Sequence, residues 1–284
     1  MANHEALQAG RVASILGAAD GIGLAACKRY AELGMKVCMA DVNADQLAKS
    51  AAEDVQPLLA GGAGDLLTEV VDVADRAKVE AFREQVYERF GRTDVLMNNA
   101  GIPRGGEAWE QYDAWREIFE VNLWGQIHGV AAFVPKMIEQ NTPALVVNTG
   151  SKQGITSPPG SPPYNITKAA VRAFTENLAH SLRNTADCKV TAHLLVPGFT
   201  YTGLMRPFLK EKPDSAWWPE QVIDYMIEKI EDGRFYILCP DNDVTEEMDA
   251  KRMLWSIGDL VEGRPALSRW HPDWKDAFER FTSE

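Results

Sequence analysis

The feature that most constrains the fold is a regular alternation of short apolar runs with amphipathic helical stretches. The apolar run Val12–Leu16 precedes a helix expected from about Gly21 to Leu33, and Lys36–Ala40 precedes another from Asp45 to Leu59. Uninterrupted apolar runs suit strands buried on both faces, and the intervening helices supply the crossovers of a parallel sheet. The sequence therefore predicts an α/β fold with a doubly wound parallel sheet and helices on both of its faces.

The alternation continues without an internal repeat or a break in composition before residue 240. The remaining expected strands are Leu66–Val73, Asp94–Met97, Ala144–Asn148, Val190–Val196 and Phe235–Cys239, and the remaining helices are Lys78–Phe90, Trp115–Glu139, Tyr164–Leu182 and Glu220–Ile230. A Pro/Gly/Ser-rich loop is expected over 154–163. We expect one domain over 1–284, with a core over about 10–240 and a helical C-terminal extension over about 241–284.

The charge balance and the cysteine pattern exclude several classes of function. Lys and Arg number 29 against 41 Asp and Glu, so the net charge is −12, which disfavours nucleic-acid and anionic membrane partners. No apolar run approaches a membrane helix of roughly 18 residues, and residues 1–10 do not resemble a signal peptide. Four dispersed cysteines and five dispersed histidines lack the clustering of a metal site. We therefore expect a cytoplasmic protein with reduced cysteines and no bound metal.

A glycine-rich turn follows the first strand. Gly17, Gly21 and Gly23 are spaced as G-x-x-x-G-x-G, which allows a pyrophosphate to approach the start of the next helix, although a tight structural turn would use the same residues. Asp41 ends the second strand, where a carboxylate accepts hydrogen bonds from ribose hydroxyls and repels a 2′-phosphate; the alternative is a helix cap or a turn residue. Together with the further negative charge of Asp20, this favours NAD over NADP.

A tyrosine and a lysine share one face of a helix further along the chain. Tyr164 and Lys168 are four residues apart, and a nearby ammonium favours the phenolate of an otherwise weak base. Such a pair is common by chance, and on its own it would be read as an exposed helix pair. Ser151 follows the fifth strand, however, and Asn98–Gly101 and Pro197–Thr202 follow the fourth and sixth. All of these segments lie at the carboxyl ends of expected parallel strands, where open α/β sheets bind ligands.

Taken together, these motifs resemble the short-chain dehydrogenase/reductase family over about residues 10–203. The motifs are G-x-x-x-G-I-G at Gly17–Gly23, N-N-A-G at Asn98–Gly101, an asparagine at Asn122, a serine at Ser151, Y-x-x-x-K at Tyr164–Lys168 and P-G-x-x-x-T ending at Thr202. The resemblance implies a single-domain Rossmann-like fold and an NAD-dependent oxidoreductase. Two departures stand out: Leu16 replaces a threonine before the first glycine, and the extension replaces a glycine-rich signature near the C-terminus.

The resemblance also implies roles for individual residues. Tyr164 is the general acid/base, Ser151 polarises the substrate oxygen, and Lys168 holds the nicotinamide ribose and lowers the pKa of the tyrosine. Asn122 supports a water that relays protons from Lys168. The implied cofactor-binding residues are Gly17, Asp20, Gly21, Ile22 and Gly23 at the pyrophosphate, Asp41 at the ribose, Asp72 and Val73 at the adenine, Asn99, Ala100 and Gly101 at the adenine ribose, Tyr164 and Lys168 at the nicotinamide, and Pro197, Thr200 and Thr202 at the carboxamide.

The substrate and the assembly are less constrained by the sequence. The segment Gly203–Pro219 occupies the family's substrate loop, and Trp217 and Trp218 within it favour an apolar or aromatic substrate over a sugar, although tryptophans also serve cores and interfaces. The family associates through the helices predicted over Trp115–Glu139 and Tyr164–Leu182. The small residues Gly125, Gly129 and Ala132 on the first of these suit close helix packing. We expect a homodimer or a homotetramer.

The leading functional hypothesis is an NAD-dependent alcohol dehydrogenase or ketone reductase that interconverts a secondary alcohol and a ketone. Hydride moves between the substrate carbon and nicotinamide, and Tyr164 moves the hydroxyl proton. One alternative is a non-catalytic NAD-binding regulatory protein on the same fold, which the set of Asn122, Ser151, Tyr164 and Lys168 argues against. A methyltransferase with a similar sheet is a second alternative, and it has no use for the tyrosine–lysine pair.

Overall fold

A computed structural model of the chain describes residues 4–103, 105–206 and 208–283. Seven parallel strands form one sheet in the order β3-β2-β1-β4-β5-β6-β7. The crossover from one half of the sheet to the other falls between β1 and β4, which are neighbours although β2 and β3 intervene in sequence. The strands are β1 (Val12–Leu16), β2 (Lys36–Asp41), β3 (Leu66–Val70), β4 (Val95–Asn98), β5 (Ala144–Thr149), β6 (Val190–Val196) and β7 (Tyr236–Leu238).

Helices cover both faces of this sheet, which confirms the predicted doubly wound α/β fold. Helices α1, α2 and α8 contribute to a buried apolar cluster on one face, and α3, α5 and α7 to a cluster on the other. The helices are α1 (Gly21–Glu32), α2 (Ala44–Ser50), α3 (Arg76–Phe90), α4 (Tyr112–Phe119), α5 (Gly125–Glu139), α6 (Gln153–Thr156), α7 (Pro162–Arg183), α8 (Pro219–Glu231), α9 (Glu246–Glu262) and α10 (Lys275–Ser283).

Strand β1 shows how the apolar runs build the core. Ala13 and Ile15 belong to the cluster under α1 and α8, whereas Val12 and Leu16 belong to the cluster under α3 and α5. Alternate side chains of a strand point to opposite faces, so a strand covered on both faces is apolar at nearly every position. All five residues of β1 are buried, and the only polar one, Ser14, contacts the Thr93 hydroxyl at 3.2 Å.

Three details differ from the sequence expectations. The helices expected over Asp45–Leu59 and Trp115–Glu139 are each interrupted by a π-helical segment, at Ala51–Val55 and Glu120–Trp124. Strand β3 ends at Val70 instead of Val73. The loop expected over 154–163 contains most of α6. This helix was not predicted, because four residues are too few for a helical hydrophobic period to show in the sequence.

The C-terminal extension is helical, as expected, and has a small aromatic core of its own. The Trp255 ring on α9 lies 5.5 Å from the ring of Phe278 and 5.3 Å from that of Phe281, both on α10. The indole N–H of Trp255 donates to the Ser268 hydroxyl at 2.8 Å. Trp255 and Trp274 therefore serve the packing of the extension, which is the structural role that the sequence left open for its tryptophans.

The small-residue face of α5 packs inside the chain and not against a second subunit. A Cβ atom at Gly129 would lie 2.0 Å from the Asn98 side-chain oxygen, and one at Gly125 would lie 2.6 Å from a methyl group of Val73. Ala132 is buried in the cluster under α3. The expectation that this face serves subunit association was therefore wrong, because the same small residues let α5 approach its own sheet.

The four cysteines are reduced thiols and form no disulfide. Cys27, Cys38 and Cys239 are buried, Cys188 is partly buried, and all four are free. Burial raises the pKa of the Cys38 thiol.

In the described part of the chain, no helix combines the length and the apolar character that crossing a membrane requires.

Candidate active site

The glycine-rich turn between β1 and α1 is a crowded strand-to-helix turn at the carboxyl end of the sheet. Gly17 has a φ of +85°, and a Cβ atom there would lie 2.6 Å from the Cα of Ala100. A Cβ atom at Gly23 would lie 1.9 Å from the Gly17 carbonyl oxygen. These two glycines allow β1, β4 and α1 to meet closely, and they leave the amino end of α1 open to an anion.

The Asp41 side chain, at the end of β2, is hydrogen-bonded to the backbone of this turn. Its carboxylate accepts hydrogen bonds from the backbone N–H of Ala19 and from that of Asn43, each at 3.0 Å. The cap of α2 is Asn43, whose side chain accepts from the N–H of Gln46, so Asp41 is not the helix cap, but its bond to the N–H of Asn43 does give it the turn role that the sequence left open. The carboxylate is held beside the glycine turn, where the ribose of a dinucleotide meets a parallel sheet of this type.

Asp20 is engaged more strongly than the sequence suggested. Its carboxylate accepts from the N–H of Gly21 at 2.6 Å and caps α1. The Arg206 guanidinium also binds it through two hydrogen bonds of 2.8 and 2.9 Å. This bidentate contact joins the glycine turn to the segment after Thr202. Because Arg206 pairs with Asp20, the prediction of an unphosphorylated ribose is left to depend on Asp41.

The candidate catalytic side chains come from β5, α7 and the short segment between them. Lys168 lies one helical turn after Tyr164 on α7, and its ammonium group is 5.7 Å from the centre of the Tyr164 ring. The lysine is 3% exposed, and its Nζ donates to the Thr149 carbonyl oxygen at 2.8 Å. Ser151 follows β5 directly, and its hydroxyl accepts from the N–H of Gln153 at 3.2 Å.

Burial shifts the pKa values of this tyrosine and lysine in opposite directions, away from each other. It disfavours the phenolate and raises the pKa of Tyr164, while the neighbouring Ser151 hydroxyl opposes that shift. Burial also disfavours the ammonium and lowers the pKa of Lys168 to about 8. The pKa of Tyr164 is therefore raised and not lowered as the resemblance implied, whereas the lowered pKa of Lys168 brings its titration closer to neutral pH, as is common at functional sites.

Asn122 lies in the π-helical segment that joins α4 to α5. Its side-chain amide pairs with both backbone groups of Ile102, accepting from the N–H at 2.8 Å and donating to the carbonyl at 3.1 Å. The side chain is fully buried, and Nδ2 also lies 3.5 Å from the Thr167 hydroxyl. π-helical segments inside longer helices are frequent at functional sites. Here the segment brings Asn122 to the chain that follows Gly101.

A series of buried polar side chains joined by hydrogen bonds lies next to the site, and it was not predicted from the sequence. Asn98 on β4 donates to the Asn148 side chain on β5 at 2.8 Å, and Asn148 donates to the Thr175 hydroxyl on α7 at 3.0 Å. Gln126 of α5 donates to the Thr149 carbonyl at 3.0 Å, the same oxygen that Lys168 contacts. These side chains fix α5 and α7 on the sheet. Polar residues inside otherwise apolar strands were the only available signal.

The other expected cofactor residues lie at the same carboxyl edge. The side-chain amide of Asn99 donates to the Gly17 carbonyl at 3.0 Å, and Thr202 lies within about 3 Å of a Cβ position at Gly21. The partly buried Asp72 follows the end of β3 and accepts from the N–H of Ala74. The buried Val73, the partly buried Ile22 and Pro197, and the buried Thr200, whose backbone pairs with that of Trp217, complete the set.

The two candidate substrate tryptophans face different surroundings. Trp217 packs against the apolar core beside α8, where its ring lies 5.9 Å from that of Tyr225. Trp218 is 50% exposed, and its ring meets the ring of Tyr201 edge to face at 5.8 Å. Trp218 is therefore the more accessible of the two.

No group of three or more His, Cys, Asp or Glu side chains that could hold a metal occurs within the part of the chain that the structure describes. The site instead offers a glycine turn at a helix start, a carboxylate at the end of β2, and a buried lysine beside a tyrosine. This combination fits a nicotinamide dinucleotide laid across the carboxyl ends of β1, β4 and β5.

Comparison with known proteins agrees with this geometry. A family model described as short chain dehydrogenase matches residues 11–213, which is more than half of the chain. The chain belongs to the short-chain dehydrogenase/reductase family. It is therefore an oxidoreductase of that family with a Rossmann-like fold, as the motifs from Gly17 to Thr202 indicated.

Relatives of this short-chain dehydrogenase/reductase extend over nearly its full length. A 1-deoxy-11-beta-hydroxypentalenate dehydrogenase from Streptomyces exfoliatus is 34% identical over 92% of this chain and 94% of its own. A short chain dehydrogenase/reductase from Burkholderia phymatum, in complex with NAD, superimposes with a TM-score of 0.79 at 34% identity, covering 90% of this chain and 96% of its own. An alcohol dehydrogenase from Thermococcus sibiricus, complexed with 5-hydroxy-NADP, gives 0.68 at 26% identity, covering 78% and 90%.

Proposed function

We propose that this short-chain dehydrogenase/reductase is an NAD-dependent alcohol dehydrogenase or ketone reductase that interconverts a secondary alcohol and a ketone. The observation that carries the proposal is the buried Lys168 ammonium, 5.7 Å from the ring centre of Tyr164 and bonded to the end of β5. Burying a lysine is costly, and a site that keeps one beside a phenol is suited to proton transfer at that phenol.

The preference for NAD is argued from Asp41. Its carboxylate is fixed by the N–H groups of Ala19 and Asn43 at the edge of the glycine turn. There it can accept from the ribose hydroxyls of NAD, and its charge opposes the 2′-phosphate of NADP. Two solved relatives carry NAD and an NADP derivative, respectively, so the choice rests on this carboxylate and not on similarity.

The proposed mechanism assigns each catalytic side chain one task. In the oxidation direction, the Tyr164 oxygen takes the hydroxyl proton while the substrate C–H bond breaks and the C=O bond forms. The Ser151 hydroxyl orients the same substrate oxygen, and the proposed task of the Lys168 charge is to oppose the burial that raises the pKa of Tyr164. Bound NAD supplies the hydride acceptor at nicotinamide C4. Asn122 fixes the segment after Gly101 and supports a water that relays protons between Lys168 and solvent.

The proposed substrate is an apolar or aromatic secondary alcohol. Large apolar side chains stand exposed on the segment after Thr202 and on the segment before α4: Trp218 is 50%, Phe208 73% and Trp109 81% exposed. Exposed aromatic groups of this kind suit contact with an apolar ligand. Substrate contact is proposed for Ser151, Tyr164 and Trp218, and it is less favoured for Trp217, whose ring packs against Tyr225.

We also propose a cytoplasmic homodimer or homotetramer of 284-residue subunits, each folded as one domain. The subunits are proposed to contact each other through α4, α5 and α7, the helices that the family uses. On α5 this contact would be made by the outer surface and not by the small-residue face. Light scattering on the purified protein should give a mass of about two or four times 31.4 kDa. A mass of 31.4 kDa at micromolar concentration would contradict this part of the proposal.

The proposal is tested by following NADH formation over a panel of secondary alcohols that includes aryl, terpenoid and steroid types. Wild-type protein is expected to reduce NAD with at least one apolar member of the panel. Tyr164→Phe should lower kcat by at least about a hundredfold while leaving the dissociation constant for NADH within about twofold. Equal turnover by the two proteins, or stoichiometric NAD binding without turnover of any alcohol, would favour the regulatory alternative.

A further inference from the structure

A buried ion cluster connects the C-terminal extension to the residue next to Ser151. The Lys152 ammonium lies 2.5 Å from the Asp249 carboxylate on α9 and 3.5 Å from the Asp241 carboxylate, which follows β7. Both carboxylates are only 7% exposed. The lysine thus connects the end of β5 to two segments that lie near the opposite end of the sequence.

Asp241 extends this cluster to a second loop of the active site. Its carboxylate accepts from the backbone N–H of Phe199 at 3.2 Å and from that of Val244 at 2.9 Å. Phe199 lies between Pro197 and Thr200, two of the residues expected at the nicotinamide carboxamide. One carboxylate therefore joins the loop after β6, the start of the extension and the lysine beside Ser151.

Short helix α6 transmits this contact to Ser151. The Ser151 carbonyl accepts from the N–H of Gly154 at 3.0 Å, and the Ser151 hydroxyl accepts from the N–H of Gln153. On its other side α6 lies against α7, since a Cβ atom at Gly154 would be 2.4 Å from the carbonyl carbon of Lys168. A displacement of α6 would therefore move Ser151 relative to Tyr164.

The extension is closely packed, both around Trp255 and where it lies against α6. Around Trp255, the Ser268 hydroxyl and the Arg264 guanidinium both contact the Asp259 carboxylate, at 2.5 and 3.1 Å. Between α6 and α9, a cavity of about 10 Å³ lined by residues that include Thr156 and Trp255 is enough for one water at most. Close packing of this kind passes a shift of one element to its neighbour.

A buried ion pair is a poor source of stability, because desolvation offsets most of its attraction. Its fixed geometry can instead specify one arrangement of the elements that it joins. We propose that Lys152, Asp249 and Asp241 are positioning residues through which the C-terminal extension holds α6, and with it the Ser151 hydroxyl, in the arrangement that the reaction requires. The catalytic part of this inference rests on the proposed function.

The test compares two substitutions on the same helix. Asp249→Asn removes the buried carboxylate at nearly constant size. Glu247→Gln is the matched control, because it removes the equivalent charge from an exposed pair with Lys251 at 3.0 Å. Hydrogen exchange of peptides covering residues 151–157, NADH affinity by fluorescence, and kcat and KM with the alcohol turned over fastest by wild type are measured on the full chain.

We expect Asp249→Asn to speed exchange in α6 at least about tenfold and to leave exchange in β1 and β4 unchanged. It should lower kcat about tenfold and keep the NADH dissociation constant within about twofold, since the dinucleotide turn lies elsewhere. Glu247→Gln should match wild type in all three measurements. Lys152→Met should reproduce Asp249→Asn, and Lys152→Arg, which keeps a cation, should recover most of the activity.

Two results would overturn the inference. Exchange in α6 that is the same in Asp249→Asn and Glu247→Gln would show that the ion cluster does not hold the helix. Faster exchange with unchanged kcat would show that the position of α6 does not matter for Ser151. If wild type turns over no alcohol, the proposed function fails, and the exchange comparison still decides whether the extension holds α6.

Discussion

At the scale of single residues, the site is organised by a lysine that the fold places in an unfavourable environment. Lys168 is buried with one hydrogen bond, to the Thr149 carbonyl, which also receives the side-chain N–H of Gln126. The protein therefore gives up stability to keep a cation beside Tyr164. Function and stability commonly oppose each other at such positions.

The loss of stability caused by burying Lys168 depends on pH and can be measured. The pKa of Lys168 is lowered to about 8 in the folded protein, so above that pH the folded state releases a proton that the unfolded state keeps to about 10.5. The contribution of Lys168 to the free energy of unfolding therefore rises with pH across this window, by at most about 3 kcal/mol. Lys168→Met should be more stable than wild type at pH 7, and this advantage should shrink toward pH 10.

Urea unfolding of the cofactor-free proteins at pH 7 and pH 9.5 measures the effect. Subtracting the wild-type value at each pH removes the titration of the buried cysteines and tyrosines that the two proteins share. A difference in stability that stays constant between the two pH values would show that Lys168 does not titrate in this window.

Asp41 gives a second prediction at this scale. Asp41→Asn removes the charge and keeps a side chain that can still accept from Ala19 or Asn43. We expect the ratio of kcat/KM for NAD to that for NADP to fall about tenfold, because repulsion of the 2′-phosphate is lost. The exposed Asp45→Asn, with the same change of charge on the first turn of α2, is the control. An equal ratio in both variants would refute the role of Asp41.

At the scale of elements, the sequence predicted the strands well and the irregular helices poorly. Apolar runs such as Val12–Leu16 correspond to strands because burial on both faces leaves no room for polar residues. The π-helical segment around Asn122 has no sequence period of its own, so a continuous helix was expected there. Helix α6 was missed because Gly154 and its neighbours have turn-like composition, and its partners on α7 and α9 are distant in sequence.

The small-residue face of α5 illustrates the same limit and yields an element-scale prediction. Glycine spacing predicted a close contact correctly but did not indicate which surface makes it. Gly129→Ala should lower the free energy of unfolding by about 1–3 kcal/mol, since the added methyl group meets the Asn98 side chain at 2.0 Å. Gly64→Ala, which has no atom within 4 Å of its Cβ position, is the control. Thermal or urea unfolding of both variants decides this; equal stability would refute the close packing of α5.

At the scale of the whole molecule, the functional groups lie at one edge of the sheet, and the extension contacts this edge at Lys152 and at Phe199. The carboxyl ends of β1, β2, β4, β5 and β6 contribute Gly17, Asp41, Asn99, Ser151 and Thr200. Their convergence was predictable because parallel strands all end at one edge. The Lys152–Asp249 pair was not predictable, because nothing in the spacing of two charged residues far apart in a chain indicates that they meet.

The proposed function predicts that a hydride passes from a secondary alcohol to NAD while Tyr164 takes the proton. The most direct measurement uses an alcohol deuterated at the carbinol carbon and follows the deuterium by mass spectrometry and NMR of the recovered dinucleotide. Wild type should give NADH carrying one deuterium at C4 of the nicotinamide, and Tyr164→Phe should give almost none in the same time. Unlabelled NADH from wild type, or equal transfer by the variant, would contradict the claim.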